Sequence, residues 1–288
     1  MGKIEIRDFS QEYTRNGRRF EALKDINLSI EEGEFVCLIG HSGCGKSTLL
    51  SAIDGLLSKP KKGGIYVDGQ KVTGPGVDRA LIFQNYSLFP WMTAINNIIF
   101  AVEQTDKSFR RKKREQKKEY ARKYLEIVGM EDSENKYPNE LSGGMKQRIA
   151  IARALAVKPE ILLSDEPFGA LDPKNRTHLQ DMFAKLWSES EKKFTVIFVT
   201  HDIDEAILLG DRIIFMDPQQ ITEDIRNPLE RPRDRAALVG SEEYTKLRDH
   251  LTSLFYKNSK KQVVETIDIS EFEDVQDEIF PRYIQNVG

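Results

Sequence analysis

Two cysteines in 288 residues, Cys37 and Cys44, are too few for a disulfide framework, which excludes the small disulfide-stapled secreted scaffolds. No run approaches the ~18 apolar residues that a membrane-spanning helix requires. The opening segment, Met1 to Tyr13, lacks the apolar core of a signal peptide and begins in strand-like alternation. Charge of one sign is not in excess either: 43 Lys and Arg against 46 Asp and Glu leave a net charge of -3. The whole-chain basicity that coats nucleic acid is missing, and no nucleic-acid partner is expected. These absences together lead to the expectation of a cytoplasmic protein in a reducing compartment, one that serves a membrane by docking on it. At 39% hydrophobic and 31% charged, the chain is long enough for one large domain plus an appendage.

What is present begins with strands. Ile4, Ile6 and Phe9 lie in an alternating run, and a second such run covers Ala22 to Ile30. Between them Asn16-Gly17 is a strong hairpin signal. A turn at Glu31 to Glu34 leads into Phe35 to Ile39, which reads as a buried parallel strand. That strand runs into Gly40, His41, Ser42, Gly43, Cys44, Gly45, Lys46, Ser47 and Thr48, a complete G-x-x-x-x-G-K-S phosphate loop. Its glycines let backbone N–H groups close around phosphate. The next segment, Thr48 to Ile53, reads as a helix whose positive end faces the anion. Lys46 is placed to reach the β- and γ-phosphates, and the Ser47 hydroxyl to bind Mg²⁺. Cys44 reads as a small filler of the loop, with its thiolate favoured by the helix end. The loop alone implies a nucleotide-binding protein, a class that spans kinases, GTPases, helicases and motors.

A second prepared helix end follows at Leu141-Ser142-Gly143-Gly144, ahead of the apolar helical run Ile149 to Leu155. Ser142 is a candidate N-cap, and Gly143 and Gly144 allow close approach to an anion, while Lys146, Gln147 and Arg148 read as an ordinary polar first turn. The string L-S-G-G followed by Q-R resembles the signature of the ABC ATPases, and the resemblance extends over at least residues 3–230. It implies an α/β fold of the P-loop NTPase class: a RecA-like core, an antiparallel β lobe and an inserted α-helical subdomain. It implies roles for further residues as well. Ile161 to Pro167 looks like the Walker B segment, with Asp165 holding Mg²⁺ and Glu166 activating the attacking water. Gly169-Ala170-Leu171-Asp172 looks like the D-loop, with Asp172 near nucleotide held with a partner chain. His201, after the strand Thr195 to Val199, looks like the switch histidine at the γ-phosphate. Gln84 looks like the Q-loop glutamine that senses Mg²⁺ and a permease. Tyr13 looks like the aromatic that stacks on adenine, with Phe9 and Phe20 as rivals. Ser164 departs from the bulkier residue common at its position.

The implied cofactors are ATP and Mg²⁺. The implied assembly is a head-to-tail dimer, with itself or a paralogous ATPase, on transmembrane permease subunits, with a solute-binding protein reached through them. Gly74 to Arg79 and Phe89-Pro90-Trp91-Met92-Thr93 resemble the importer branch for nitrate, sulfonates, taurine and bicarbonate, although Leu is commoner than Phe before the Pro-Trp pair. The alternatives are an exporter ATPase or a cassette with a non-transport role. On this reading residues 1–240 form the nucleotide-binding domain, with a helical subdomain over about 93–155, and 241–288 form a helical extension and acidic tail. The ten basic residues from Lys107 to Lys123 read as the solvated face of an exposed helix. From Glu265 to Glu278 there are seven acids and no base, interleaved with apolar residues, which reads as a docking extension.

Overall fold

The computed structural model describes residues 2–15, 18–57, 60–169, 171–190 and 193–266. Strands β1 (Ile4–Arg15), β2 (Arg18–Ile30) and β3 (Phe35–Gly40) lead into helix α1 (Lys46–Asp54). Next come β4 (Lys62–Val67), β5 (Gln70–Lys71) and β6 (Arg79–Ile82). A helical segment follows: α2 (Ala94–Thr105), α3 (Lys107–Arg110), α4 (Arg114–Ile127) and α5 (Gly143–Ala156). Strands and helices then alternate through β7 (Ile161–Asp165), α6 (Pro173–Ser188), β8 (Thr195–Val199), α7 (Ile203–Leu209) and β9 (Arg212–Asp217). The described part ends with β10 (Gln220–Arg226), α8 (Arg235–Leu238) and α9 (Glu242–Thr266).

One sheet is antiparallel, in the order β2-β1-β4-β5. Its apolar set, including Ile4, Ile6, Phe9, Leu23, Ile26 and Ile30, is buried. The step from Ile6 to Phe9 breaks the period of two, and the structure gives the reason. The register shifts there, and Asp8 takes a positive φ of 46°, so a bulge returns Phe9 to the inner face. Arg15 pairs with Arg18 across the first hairpin; Asn16 and Gly17 lie outside the described residues.

The other sheet has the order β10-β9-β3-β8-β7-β6, with β10 antiparallel to β9 and the other neighbours parallel. Strands β3 and β8 are buried along their whole length, the pattern of a sheet covered on both faces. Val36, Leu38, Ile197 and Val199 join a core with Leu49, Leu50 and Ile53 of α1 and the inner face of the antiparallel sheet. On the opposite side Phe35 packs against Phe183 and Trp187 of α6, with ring centroids 6.0 and 5.5 Å away. Burying each such ring contributes about 1.5–3 kcal/mol. Because the five neighbouring strands are parallel, their carboxyl ends share one edge, where the loops after β3, β6, β7 and β8 meet.

The inserted helices separate β6 from β7, and the basic run is two helices rather than one. Asp106 caps the start of α3, accepting from the N–H groups of Ser108 and Phe109 at 2.7 and 3.1 Å, and the break before α4 falls at residues 111–113. In α2 the fully buried Asn97 accepts from Phe89 N at 2.8 Å and donates to the carbonyls of Phe89, Met92 and Thr93. That bracket fixes the Phe89-Pro90-Trp91 turn and leaves Trp91 69% exposed. Residues up to Arg248 form one compact unit; a second begins at Asp249, and its described part is the rest of α9. Nearly all of the acidic stretch, from residue 267 on, lies outside the described residues.

Candidate functional site

The phosphate loop leaves β3 at Gly40 and becomes α1 at Lys46. Gly45, with φ 109°, tolerates no side chain: a Cβ would stand 2.7 Å from both Ala22 O and Leu23 Cδ2. Gly43, with φ 79°, has nothing within 4 Å of a Cβ position, so the loop is tight where it meets β2 and open on its concave side. Gly45 caps α1 without a side-chain hydrogen bond, and the first-turn N–H groups remain available to an anion. Lys46 is buried and bends over its own loop, its Nζ donating to Gly40 O at 2.8 Å and His41 O at 2.9 Å.

Three other strand ends bring side chains to this loop. Asp165, ending β7, accepts from Ser47 Oγ at 3.1 Å. Burial pushes the Asp165 carboxyl up; the Ser47 hydrogen bond and Lys46 oppose that shift, and Glu166 adds to it. A hydroxyl beside a desolvated carboxylate is a hard-oxygen pair whose charge a cation would relieve, and the pair fits Mg²⁺. Glu166 takes a left-handed backbone with φ 47°, a conformation that costs about 1–3 kcal/mol, and its N–H is secured by Val199 O at 3.0 Å. Its Oε2 accepts from Gln84 Nε2 at 3.1 Å and stands 3.5 Å from His201 Nδ1. Gln84 lies just past β6 and His201 just past β8. Loop, Gln84, Glu166 and His201 line one cleft of about 980 Å³. At its other end Tyr13 and Phe20 face each other across β1 and β2, with ring centroids 5.7 Å apart. Phe20 is 48% exposed while Phe9 is core, so Phe9 is no rival for an aromatic contact.

Ser142, Gly143, Gly144 and Asp172 are elsewhere, in a second cleft of about 660 Å³ that shares no lining residue with the first. Ser142 caps α5, accepting from Met145 N at 3.3 Å. Asp172 caps α6, and both its oxygens are engaged by Asn175, one by the backbone N–H and one by the side-chain amide. The model of the family described as "ABC transporter" matches residues 23–169. The nitrate import ATP-binding protein NrtD of Synechococcus elongatus is 45% identical over 241 residues, covering 83% of this chain and 86% of that protein. The bicarbonate transport ATP-binding protein CmpD of Synechocystis sp. is 43% identical over 256 residues, covering 88% and 89%.

This chain belongs to the ABC transporter family. Its fold is that of a P-loop ATPase cassette. The dimeric post-hydrolysis state of the ATP-binding cassette MJ0796 bound to ADP and Pi superimposes with a TM-score of 0.72 at 34% identity, covering 79% of this chain and all of that one. ATP hydrolysis is the reaction of such a cassette.

The geometry of the cassette corrects one expectation and adds residues to others. Cys44 is 2% exposed, and burial pushes its thiol up, outweighing the nearby Lys46. It fills the loop and is not a favoured thiolate. The cleft wall includes Pro218 and Gln219, from the turn between β9 and β10. Gln219 donates to Cys44 O at 3.1 Å and accepts from Lys24 N at 2.8 Å, so this turn braces the phosphate loop. No local sequence signal marks it, because the contact is purely tertiary. Arg153 of α5 donates to the carbonyls of Ser87 and Tyr86, tying the segment after Gln84 to the signature helix. Gln147, read from sequence as a polar first-turn residue, is 1% exposed.

Proposed function

We propose that this chain is the ATP-hydrolysing subunit of an importer that takes up a small oxyanion, such as the nitrate or bicarbonate named for its relatives, through a separate permease. What carries the reading is the division between the two clefts. The phosphate loop, Gln84, Glu166 and His201 share one, while Ser142, Gly143 and Gly144 line the other. A signature turned away from its own chain's phosphate loop is of use to the nucleotide of a second subunit. Two such chains, or this chain and a paralogue, stand head to tail and enclose two ATP molecules.

The roles follow from position. Loop 40–48 and the end of α1 cradle the phosphates, and Lys46 exchanges its loop carbonyls for phosphate oxygens. Ser47 and Asp165, with Gln84 beside them, hold Mg²⁺, which when bound neutralises charge on the phosphate oxygens. Glu166 takes the proton of the attacking water as that water's oxygen bonds to the γ-phosphorus and ADP leaves. His201 lies against the γ-phosphate, and Tyr13 stacks on adenine with Phe20 beside it. Exposed Phe83 and Trp91 sit next to the Gln84 segment and form the permease contact, on the cytoplasmic face of the membrane. Substrate reaches the permease from a solute-binding protein. Residues 1–240 act as the nucleotide-binding domain, with 93–155 as its helical subdomain and 241–288 as an extension.

Replacement Glu166→Gln tests the assignment. Turnover should fall by ~10²–10⁴, the usual worth of general-base help, while MgATP still binds and an ATP-bound dimer accumulates on size exclusion. Hydrolysis near the wild-type rate would remove Glu166 from its role. Uptake of nitrate and bicarbonate by vesicles holding the whole complex tests the solute; transport of neither sinks the oxyanion reading.

A further inference from the structure

Gln147 sits in the first turns of α5, the helix whose N-terminus carries Ser142, Gly143 and Gly144. It is 1% exposed, and its Nε2 finds no acceptor among the described residues. A buried donor without a partner is uncommon, because leaving it unpaired forfeits its solvation. Gln147 lines a cavity of about 280 Å³ together with Gln84, Glu166, Gly169 and His201. Four of those five residues carry polar side chains, and the cavity has room for water, which needs two or more polar partners to settle there. Glu166 Oε2 is already engaged by Gln84 and faces His201, so Oε1 is left for another donor.

We propose that Gln147 is a positioning residue for the hydrolytic water. Its Nε2–H donates to the water oxygen, and the water donates a proton to Glu166. One lone pair of the water oxygen stays free to attack the γ-phosphorus, and the proton passes to the Glu166 carboxylate as the new P–O bond forms and the bond to the ADP oxygen breaks. The inference rests on Glu166 being the base. It has a structural consequence: one rigid helix carries both the glycines facing the second cleft and the amide that orients water in the first. A shift of α5 upon engaging the partner's nucleotide is thereby transmitted to the chain's own hydrolytic centre.

The test is Gln147→Met, which keeps side-chain length and removes the donor, made in the full chain and assayed for steady-state MgATP hydrolysis. The rate constant kcat should fall by about 10²-fold with KM within about twofold of wild type, as misplacement of a reacting group predicts. The variant should also accumulate the ATP-bound dimer. In a Glu166→Gln background the same substitution should change the residual rate by less than about twofold, because both act on one step. A wild-type rate in Gln147→Met, with Glu166→Gln inactive, overturns this inference alone. An active Glu166→Gln overturns the reading beneath it. Additive losses in the double variant, or joint loss of kcat and MgATP affinity, assign Gln147 to packing and overturn the inference. If thermal denaturation shows that Gln147→Met does not fold, Gln147→Asn, whose amide is too short to reach, is read by the same criteria.

Discussion

Glu166 holds its left-handed backbone because β7 ends one residue earlier and its side chain has to turn back toward Gln84 and His201. A neighbouring aspartate, Asp165, keeps extended geometry and meets Ser47 instead. Two adjacent acids thus reach different partners through one change of φ, which no composition argument reveals. Cys44 illustrates the converse. Its place in the sequence, before a helix N-terminus, argues for a reactive thiolate, but the loop closes over it and desolvation dominates. The folded protein should therefore resist maleimide at Cys44, and at the equally buried Cys37, until denaturant is added. Peptide mass spectrometry after timed labelling checks this, and rapid modification of native Cys44 would contradict the packing of the loop.

Among the elements, α7 offers a measurable link between burial and pH. Glu205 in its first turn is buried, and desolvation pushes its carboxyl up despite hydrogen bonds from Thr200 and from Gln180 Nε2, the latter at 2.6 Å. A native carboxyl with a raised pKa holds its proton more tightly than the unfolded chain does. The native state then binds more protons, and this contribution to stability declines as pH rises from the ordinary glutamate value of about 4.3 through the raised one. Glu205→Gln keeps an acceptor for Gln180 and removes the charge. Urea midpoints of variant and wild type should diverge in the variant's favour from about pH 4 toward neutrality. A difference that stays flat with pH would show that Glu205 does not titrate this way. Element types were largely legible in the residues: the continuous apolar runs of β3 and β8, and the Ser142 cap of α5. The break between α3 and α4 at residues 111–113 was not, because both sides are equally basic and the break itself carries no Gly or Pro.

At the scale of the whole molecule, all residues assigned to hydrolysis lie in the unit that ends at Arg248. Truncation after Lys257 should accordingly leave MgATP hydrolysis by the isolated protein intact and alter regulation or assembly with the permease. Lost nucleotide binding would show that the core needs the removed segment; unchanged transport and complex yield would deny it a regulatory part. No helix among the described residues is long and apolar enough to cross a membrane. The exposed Trp91, held out by the Asn97 bracket, is the apolar handle that the proposed permease contact would use.

The sequence by itself determined the phosphate loop, the L-S-G-G turn and the paired acids at the end of β7, since each is contiguous and its chemistry is local backbone and side-chain chemistry. Only the tertiary structure decided that Gln84 meets Glu166 across 82 positions of chain. It also decided that the signature glycines open on a different cleft, that Gln219 braces the loop, and that Gln147 lines a cavity with Gln84, Glu166 and His201. These meetings depend on the order of parallel strands and the packing of α5 beside β6. Strand order is set by long-range pairing and burial, which no window of neighbouring residues encodes.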